Sequence, residues 1–350
     1  MRSSLQGRRV LVVGGAGFVG SNLVRRLLTY EPRNVIVVDN LLSAERDNLP
    51  DVQDLSFVSG SITDDEVLRA LPDDLDYAFH LATFHGNQNS IHDPLADHAN
   101  NTLTTLKLFE RLKDLRSLRK VVYASAGCTV AEKTYGKADA TTEEAPVSLH
   151  HDSPYQISKI IGELYANYYL TRHGLPVVKA RFQNVYGPGE VLGAGEWRGT
   201  AATVWRNVTP TFIYRALSGM PLTIENRGIA TRDFIYVDDI VEGLLRCATL
   251  GTAGEVYNLA TGVETSILEL ATRINELTGN PAGITFLPAR PWDRSGTRYG
   301  SPEKARRELG FEASTPLSGG LARTVAWTRE NLARIEACIA RHRSQLEASS

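Results

Sequence analysis

Val10-Leu11-Val12-Val13-Gly14-Gly15-Ala16-Gly17-Phe18-Val19-Gly20-Ser21 decides the architecture. The first four residues are apolar and mostly β-branched, the composition and length of a buried strand. Glycines 14, 17 and 20 follow at once, and an amphipathic stretch, 21–30, comes next. Strand, glycine-rich turn and helix in that order make a phosphate cradle. Gly14 permits the tight turn, Gly17 lets backbone approach a pyrophosphate, and Gly20 lets helix and strand pack closely. The helix N-terminus then faces the phosphates. A glycine pattern alone is weak; the strand before it and the helix after it supply the context. Val35-Ile36-Val37-Val38 reads as the second strand and ends in Asp39. It lies about twenty positions past the last glycine, where a carboxylate accepts the ribose 2′-hydroxyl and repels a 2′-phosphate. NAD is therefore expected over NADP. An ordinary strand-end aspartate is the plainer reading of Asp39, and the glycines argue against it.

The alternation continues outward. Strands are expected at 55–58, 77–80, 120–124, 177–181 and 255–259, with helices at 64–71, 100–115 and 160–170. Strands alternating with helices predict an α/β fold, a doubly wound parallel Rossmann sheet with helices on both faces. Ligands then bind beyond the C-terminal ends of the strands. Ser125, at the end of its strand, and Tyr155 both fall on that edge.

The whole chain sets limits on function. Its 350 residues carry 22% charged and 42% hydrophobic side chains, an ordinary globular composition large enough for one or two cores. A net charge of −2 gives no reason to expect nucleic acid or an anionic membrane as partner. Cys128, Cys247 and Cys338 are few and scattered, which fits a reducing cytoplasm and speaks against a disulfide framework or a Cys-rich metal site. The polar segment 1–9 and the short apolar run after it read as a strand entry rather than a signal peptide, and no apolar run is long enough to span a bilayer.

Ser153-Pro154-Tyr155-Gln156-Ile157-Ser158-Lys159 carries the chemistry. Tyr155 and Lys159 are spaced i, i+4 and share a helical face. A phenol near pKa 10 is a poor base at neutral pH, and an ammonium one turn away favours its anion. The pair can then move a proton while a neighbouring cofactor moves a hydride. Alone, a tyrosine and lysine at this spacing are more often plain surface residues; their setting makes the difference.

Taken together, these motifs resemble the extended short-chain dehydrogenase/reductases of the NAD-dependent epimerase/dehydratase family, and most closely the UDP-galactose (UDP-sugar) 4-epimerases. The match spans 8–326. Its marks are the three glycines, Asp39-Asn40-Leu41, His80-Leu81-Ala82, Asn100 and the Tyr155 segment, then Arg181-Phe182-Gln183-Asn184-Val185-Tyr186-Gly187-Pro188, Arg232-Asp233-Phe234-Ile235-Tyr236-Val237-Asp238-Asp239 and Leu309-Gly310-Phe311. The resemblance implies that Gly14, Gly17, Phe18, Val19 and Gly20 hold the NAD pyrophosphate and that Asp39, Asn40 and Leu41 hold the adenosine ribose. Ser61 and Ile62 would line the adenine pocket, with Ser61 departing from the usual Asp. Leu81, Ala82, Thr83 and Asn100 would line the nicotinamide half, Lys159 would reach its ribose, and Gln183 stands where an aromatic residue is usual. Asn184, Asn207, Val208, Arg232 and Arg290 would hold the nucleotide diphosphate of the substrate, a nucleotide-diphosphate sugar expected to be UDP-linked. A guanidinium suits a diphosphate; surface ion pairing is the plainer role for both arginines. The family also implies a homodimer through helices matching 100–115 and 155–170.

The resemblance further implies a smaller, interleaved C-terminal substrate domain: 1–182 plus 232–262 for NAD, 183–231 plus 263–345 for the nucleotide sugar. The glycine-rich run 187–195 reads as a mobile loop, a substrate lid by its place after the strand edge or else a solvated linker. A mostly helical 200–219 and an amphipathic helix over 317–345 with a basic, solvated end are expected.

One departure is informative. The family places its catalytic Ser or Thr where Ala126 stands. Ser125 is adjacent and Thr129 a turn away; either could supply the hydroxyl, and Ser125 is preferred. Gly127 and Cys128 replace the acid–base pair of the dehydratases, which speaks against 4,6-dehydration. Related 3,5-epimerases carry a Cys where Cys128 sits, with a second basic residue where Thr203 stands here; a small buried hydrophobe is the commoner role of a free Cys. The expected reaction is inversion at C4 through transient oxidation. A C5 or 3,5-epimerase using Cys128, a net dehydrogenase or dehydratase, and a non-catalytic NAD sensor are the alternatives.

Overall fold

A computed structural model describes residues 1–127, 139–289 and 296–348. Seven strands form the main sheet: β1 (Arg9–Val13), β2 (Asn34–Asp39), β3 (Leu55–Ser59), β4 (Tyr77–His80), β5 (Lys120–Ala126), β6 (Val177–Phe182) and β7 (Val256–Leu259). They stand in the order β3-β2-β1-β4-β5-β6-β7, and every pairing is parallel. The order reverses between β1 and β4, the switch point at which open α/β sheets bind ligands.

Period-two alternation builds a core on each face. Val10, Val12, Val35, Val37, Phe79, Val122 and Val178 pack with Leu23, Val24 and Leu27 of the helix Phe18–Leu28 and with Ile240, Leu244 and Leu245 of Val237–Leu250. Leu11, Val13, Ile36, Val38, Ala78, Val121 and Tyr123 point the other way, onto Leu108, Phe109, Leu112, Ala166 and Tyr169. Both sets are withdrawn from water, as a parallel sheet requires. A third apolar cluster gathers Phe212, Ile213, Leu222, Ile224, Phe234, Leu270, Ile274 and Leu321 beside short two-stranded sheets.

Four regions differ from the sequence expectation. The stretch 100–115 opens as a π turn, His98–Leu103, before the α-helix Thr104–Leu112. Within 200–219 only a 3-10 turn, Ala201–Thr203, and the helix Val208–Leu217 form. The C-terminal stretch is three helices rather than one: Leu317–Glu330, Leu332–Ala340 and Arg343–Ala348. Its basic end is not simply solvated. Arg341 pairs with Glu45, the buried His342 ring bonds the Gly193 carbonyl at 3.0 Å, and Arg334 donates to Asn48 at 2.7 Å.

The run 187–195 is likewise pinned rather than loose. Val191, Leu192 and Ala194 are buried against Ile335 and Cys338. Gly195 N donates to Glu45 and Glu196 N to the Leu42 carbonyl. A Cβ on Gly193 would strike the Cys338 backbone at 2.8 Å, and one on Gly195 the Leu42 carbonyl, close approaches to distant segments that local sequence does not reveal.

Candidate active site

Register brings the strand ends level. Val13 pairs with His80, His80 with Tyr123, and Ala126 with Phe182. The residues just beyond each end, Gly14, Asn40, Leu81, Gly127 and Gln183, therefore meet along one edge and line a single cavity of about 730 Å³.

The glycine turn opens that cavity. A Cβ on Gly20 would collide with the Gly14 carbonyl oxygen, so close helix–strand packing demands glycine there. A Cβ on Gly17 meets nothing nearer than 3.3 Å, and Gly17 lines the cavity; its missing side chain leaves room for a ligand rather than for protein. Phe18, Val19 and Gly20 start the following helix in the same wall. Asp39, 8% exposed, also lines it and accepts from Ala16 N and Leu41 N, both at 2.9 Å. Burial raises its pKa, and these backbone donors oppose that. This cradle and this carboxylate fit a dinucleotide.

The other expected cofactor positions divide as follows. Asn40, Ser61, Ile62, Leu81, Ala82, Thr83, Asn100 and Gln183 all line the cavity. Leu41 turns instead toward the main core, in a left-handed conformation at φ 59°. Ser61 Oγ accepts from Thr63 N at 3.2 Å and from Thr63 Oγ1 at 2.8 Å. The π turn sets Asn100 within 3.5 Å of Asn40 and buries Asn101 beside it. Gln183 is wedged where a Cβ on Gly127 or on Gly300 would strike its amide.

Tyr155 and Lys159 ride on the helix Pro154–His173. Ser153 caps its start, with Pro154 in the first turn, and Gly174, at φ 70°, closes it. Lys159 is 4% exposed; its Nζ donates to the Ala124 carbonyl at 3.0 Å and lies 5.7 Å from the Tyr155 ring centre. Burial brings its pKa down to about 8, against the pull of Asp97. The Tyr155 phenol is held above its ordinary value by burial and then by Asp97, while a hydrogen bond with the Thr83 side chain favours the anion. Lysine proximity alone therefore does not make this phenol acidic.

Ser125 lies in the cavity wall, but its hydroxyl donates to Glu163 Oε1 at 2.5 Å. Arg181 Nε and Nη2 fork onto the same carboxylate at 2.9 and 2.8 Å. Ala126 also lines the cavity and has no hydroxyl to offer. Cys128 and Thr129 lie outside the described residues. So does Arg290.

The remaining substrate positions converge on the same cavity: Asn184, Asn207, Val208 and Arg232. Arg232 Nη1 donates to the Thr231 carbonyl at 2.6 Å and to Gly296 O at 3.4 Å. Sequence reasoning missed Glu190, Arg206, Arg215 and His85, which line it too. A signal existed for one of them. Val208, Thr211, Phe212 and Arg215 follow helical i, i+3, i+4, i+7 spacing and face the cavity together. Glu190 accepts from Asn207 Nδ2, and burial raises its carboxyl to about 7.

Known proteins match this arrangement. A model of the NAD dependent epimerase/dehydratase family matches residues 10–260. The UDP-glucose 4-epimerase of Mycolicibacterium smegmatis is 34% identical over 327 residues, 92% of this chain and 98% of its own. Bordetella bronchiseptica WbmF, solved in complex with NAD+ and UDP, is 60% identical with a TM-score of 0.89, and 99% of each chain is covered. The UDP-glucose 4-epimerase of Thermotoga maritima, solved with UDP-glucose, is 32% identical with a TM-score of 0.82, covering 93% of this chain and 99% of that one. With its glycine cradle, its Tyr155–Lys159 pair and a family match over most of its length, this chain belongs to the NAD dependent epimerase/dehydratase family.

Proposed function

We propose that this NAD-dependent nucleotide-sugar epimerase inverts C4 of a UDP-linked sugar through a transient 4-keto sugar. One observation carries the reading: the cofactor-type and substrate-type residues line one cavity together with Tyr155 and Lys159. Gly14, Gly17, Phe18, Val19 and Gly20 hold the pyrophosphate of NAD, and Asp39 takes the adenosine ribose. Bound NAD supplies a hydride acceptor that is restored by the end of the cycle. Tyr155 takes the proton of the sugar O4 and later returns it. Lys159, cationic below about pH 8, offsets the negative charge on the Tyr155 oxygen. Asn184, Asn207, Val208 and Arg232 hold the UDP end. Inversion requires the keto sugar to turn within the cavity. Relatives named UDP-glucose 4-epimerase support C4 and uridine.

The two-domain division drawn from sequence is part of the proposal; separate apolar clusters around Phe79 and around Phe212 support it. So is the homodimer. Ile157, Leu164 and Tyr168 on the Pro154–His173 helix are 46%, 60% and 54% exposed, an apolar stripe fit for a second copy. Among the described residues, no helix is long and apolar enough to cross a membrane.

The test is incubation with UDP-, GDP- and dTDP-sugars in deuterated water, with separation of products. Hydride transfer returns the same hydrogen to carbon, so a C4 epimer free of deuterium is expected. Deuterium at C5 would replace this reading with proton abstraction beside the ketone.

A further inference from the structure

The glycine turn follows the end of β1, and β2 and β4 flank that strand. The segment 187–207 is fastened on both sides of it. On the β2 side, Glu196 N donates to the Leu42 carbonyl at 3.0 Å, and Arg206 Nη1 donates to that of Ser43 at 2.9 Å. On the β4 side, Thr200 Oγ1 donates to Asn89 Oδ1 at 2.6 Å, and a Cβ on Gly199 would strike the His92 ring. Near its start, the Pro188 carbonyl accepts from Asn22 of the Phe18–Leu28 helix at 3.0 Å. The segment thus roofs the end of β1, and its Glu190, Trp205 and Arg206 share the cavity wall with Gly14 and Gly17.

Arg206 is the cation that this roof sends to the cavity. Its Nη2 donates to the Ala194 carbonyl at 2.8 Å, so two backbone carbonyls fix the guanidinium in place. Neither supplies a countercharge. Glu190 is engaged by Asn207 Nδ2, and Glu45 by Arg341 and Gly195 N. Among the described residues, Arg206 therefore has no carboxylate partner. Its Nε is closed off from solvent without an acceptor, which leaves one N–H on each of Nη1 and Nη2 for a ligand. A second guanidinium, Arg198, is 5% exposed in the same roof, and its Nε and Nη1 also meet no acceptor. Each cation makes the other harder to bury. Charge withdrawn from water without a partner is costly, and an anion from outside the chain removes that cost. The anion for which a glycine turn and a helix N-terminus are built is a pyrophosphate.

We propose that Arg206 is a cofactor-binding residue that covers the NAD pyrophosphate, donating its two remaining Nη N–H groups to the anionic phosphate oxygens. The assignment rests on NAD binding in the glycine cradle. It adds a full charge to a cradle that otherwise offers backbone N–H groups and a helix dipole. The substrate diphosphate stays with Asn184, Asn207, Val208 and Arg232. An epimerase gains from the extra grip, because the dinucleotide must remain bound while the keto sugar turns.

The experiment loads wild type, Arg206→Met and Arg206→Lys with radiolabelled NAD and chases each with excess unlabelled NAD. Arg206→Met keeps much of the side chain's bulk and removes its charge. NAD should leave it roughly 10- to 100-fold faster, the worth of a hydrogen bond to a charged group. Arg206→Lys keeps the charge but cannot hold both carbonyls, and its release should fall between the two. Kd for UDP, measured by calorimetry on the NAD-loaded proteins, should not change. Equal release from wild type and Arg206→Met would overturn the proposal. Release from Arg206→Lys as fast as from Arg206→Met would also overturn it, by making the arginine a brace. A loss of UDP affinity as large as the gain in release would do the same, by giving the guanidinium to the substrate diphosphate. Arg206→Gln carries the comparison if methionine lowers the melting temperature. A wild type that binds no UDP and converts no nucleotide sugar would sink the epimerase reading instead; NAD release needs no substrate and still decides Arg206.

Discussion

Glu163 stands two helical turns beyond Tyr155 and one beyond Lys159, and it accepts the Ser125 hydroxyl at 2.5 Å. Its other partner, Arg181, is 4% exposed. Tyr155, Lys159 and Glu163 thus share one helical face, and the ion pair ties that face to the ends of β5 and β6. Removing one partner of a buried pair strands the other charge. Glu163→Ala is expected to lose about 3–5 kcal/mol of stability. Glu163→Gln, which can still accept from Ser125, should lose less. Denaturant unfolding of the three proteins checks this, and equal midpoints would contradict it.

Tyr155→Phe deletes only the hydroxyl proposed to accept the proton. Turnover should fall roughly 10²–10⁴-fold, while NAD binding and melting temperature stay near wild type. Full activity in Tyr155→Phe would reject the proposed proton transfer.

Glu190 gives a pH signature. Burial raises its carboxyl from 4.5 to about 7. A folded value above the unfolded one means that the folded state holds the extra proton between them. Its stability contribution is whole below pH 4.5 and is lost as pH rises through about 7. Glu190→Gln should therefore melt like wild type in acid and above wild type once pH exceeds about 7. Calorimetry across that range is the measurement, and a constant difference would refute it.

The exposed stripe of Ile157, Leu164 and Tyr168 makes a prediction about assembly. Leu164→Arg should turn a dimer into a monomer by light scattering and leave NAD binding in place. A wild type already monomeric at micromolar concentration would remove the proposal.

The Rossmann sheet was legible because each strand carries its own evidence: Val10–Val13 and Val35–Val38 need only their composition and the glycines between them. The cavity edge followed, since parallel strands must end together. What escaped depends on partners distant in sequence. The run 187–195 reads as a loose lid because its covering residues, Ile335 and Cys338, lie far along the chain. Ser125 reads as a free hydroxyl because nothing local shows that Glu163 takes it. His85 and Arg206 are single residues in irregular segments, where no period marks a face.

The strap formed by the last helices sets an order on biosynthesis. Arg341 and Arg334 reach back 296 and 286 residues to Glu45 and Asn48, next to the cofactor wall at Ser43 and Ala44. On the ribosome, the strands and the glycine turn emerge long before the residues that brace that wall. Firm retention of dinucleotide is therefore expected only once these helices have been made and have docked. Chains ending at residue 330 should fold their sheet but release NAD faster than the full chain, a difference that dissociation rates of the two purified proteins would show or exclude.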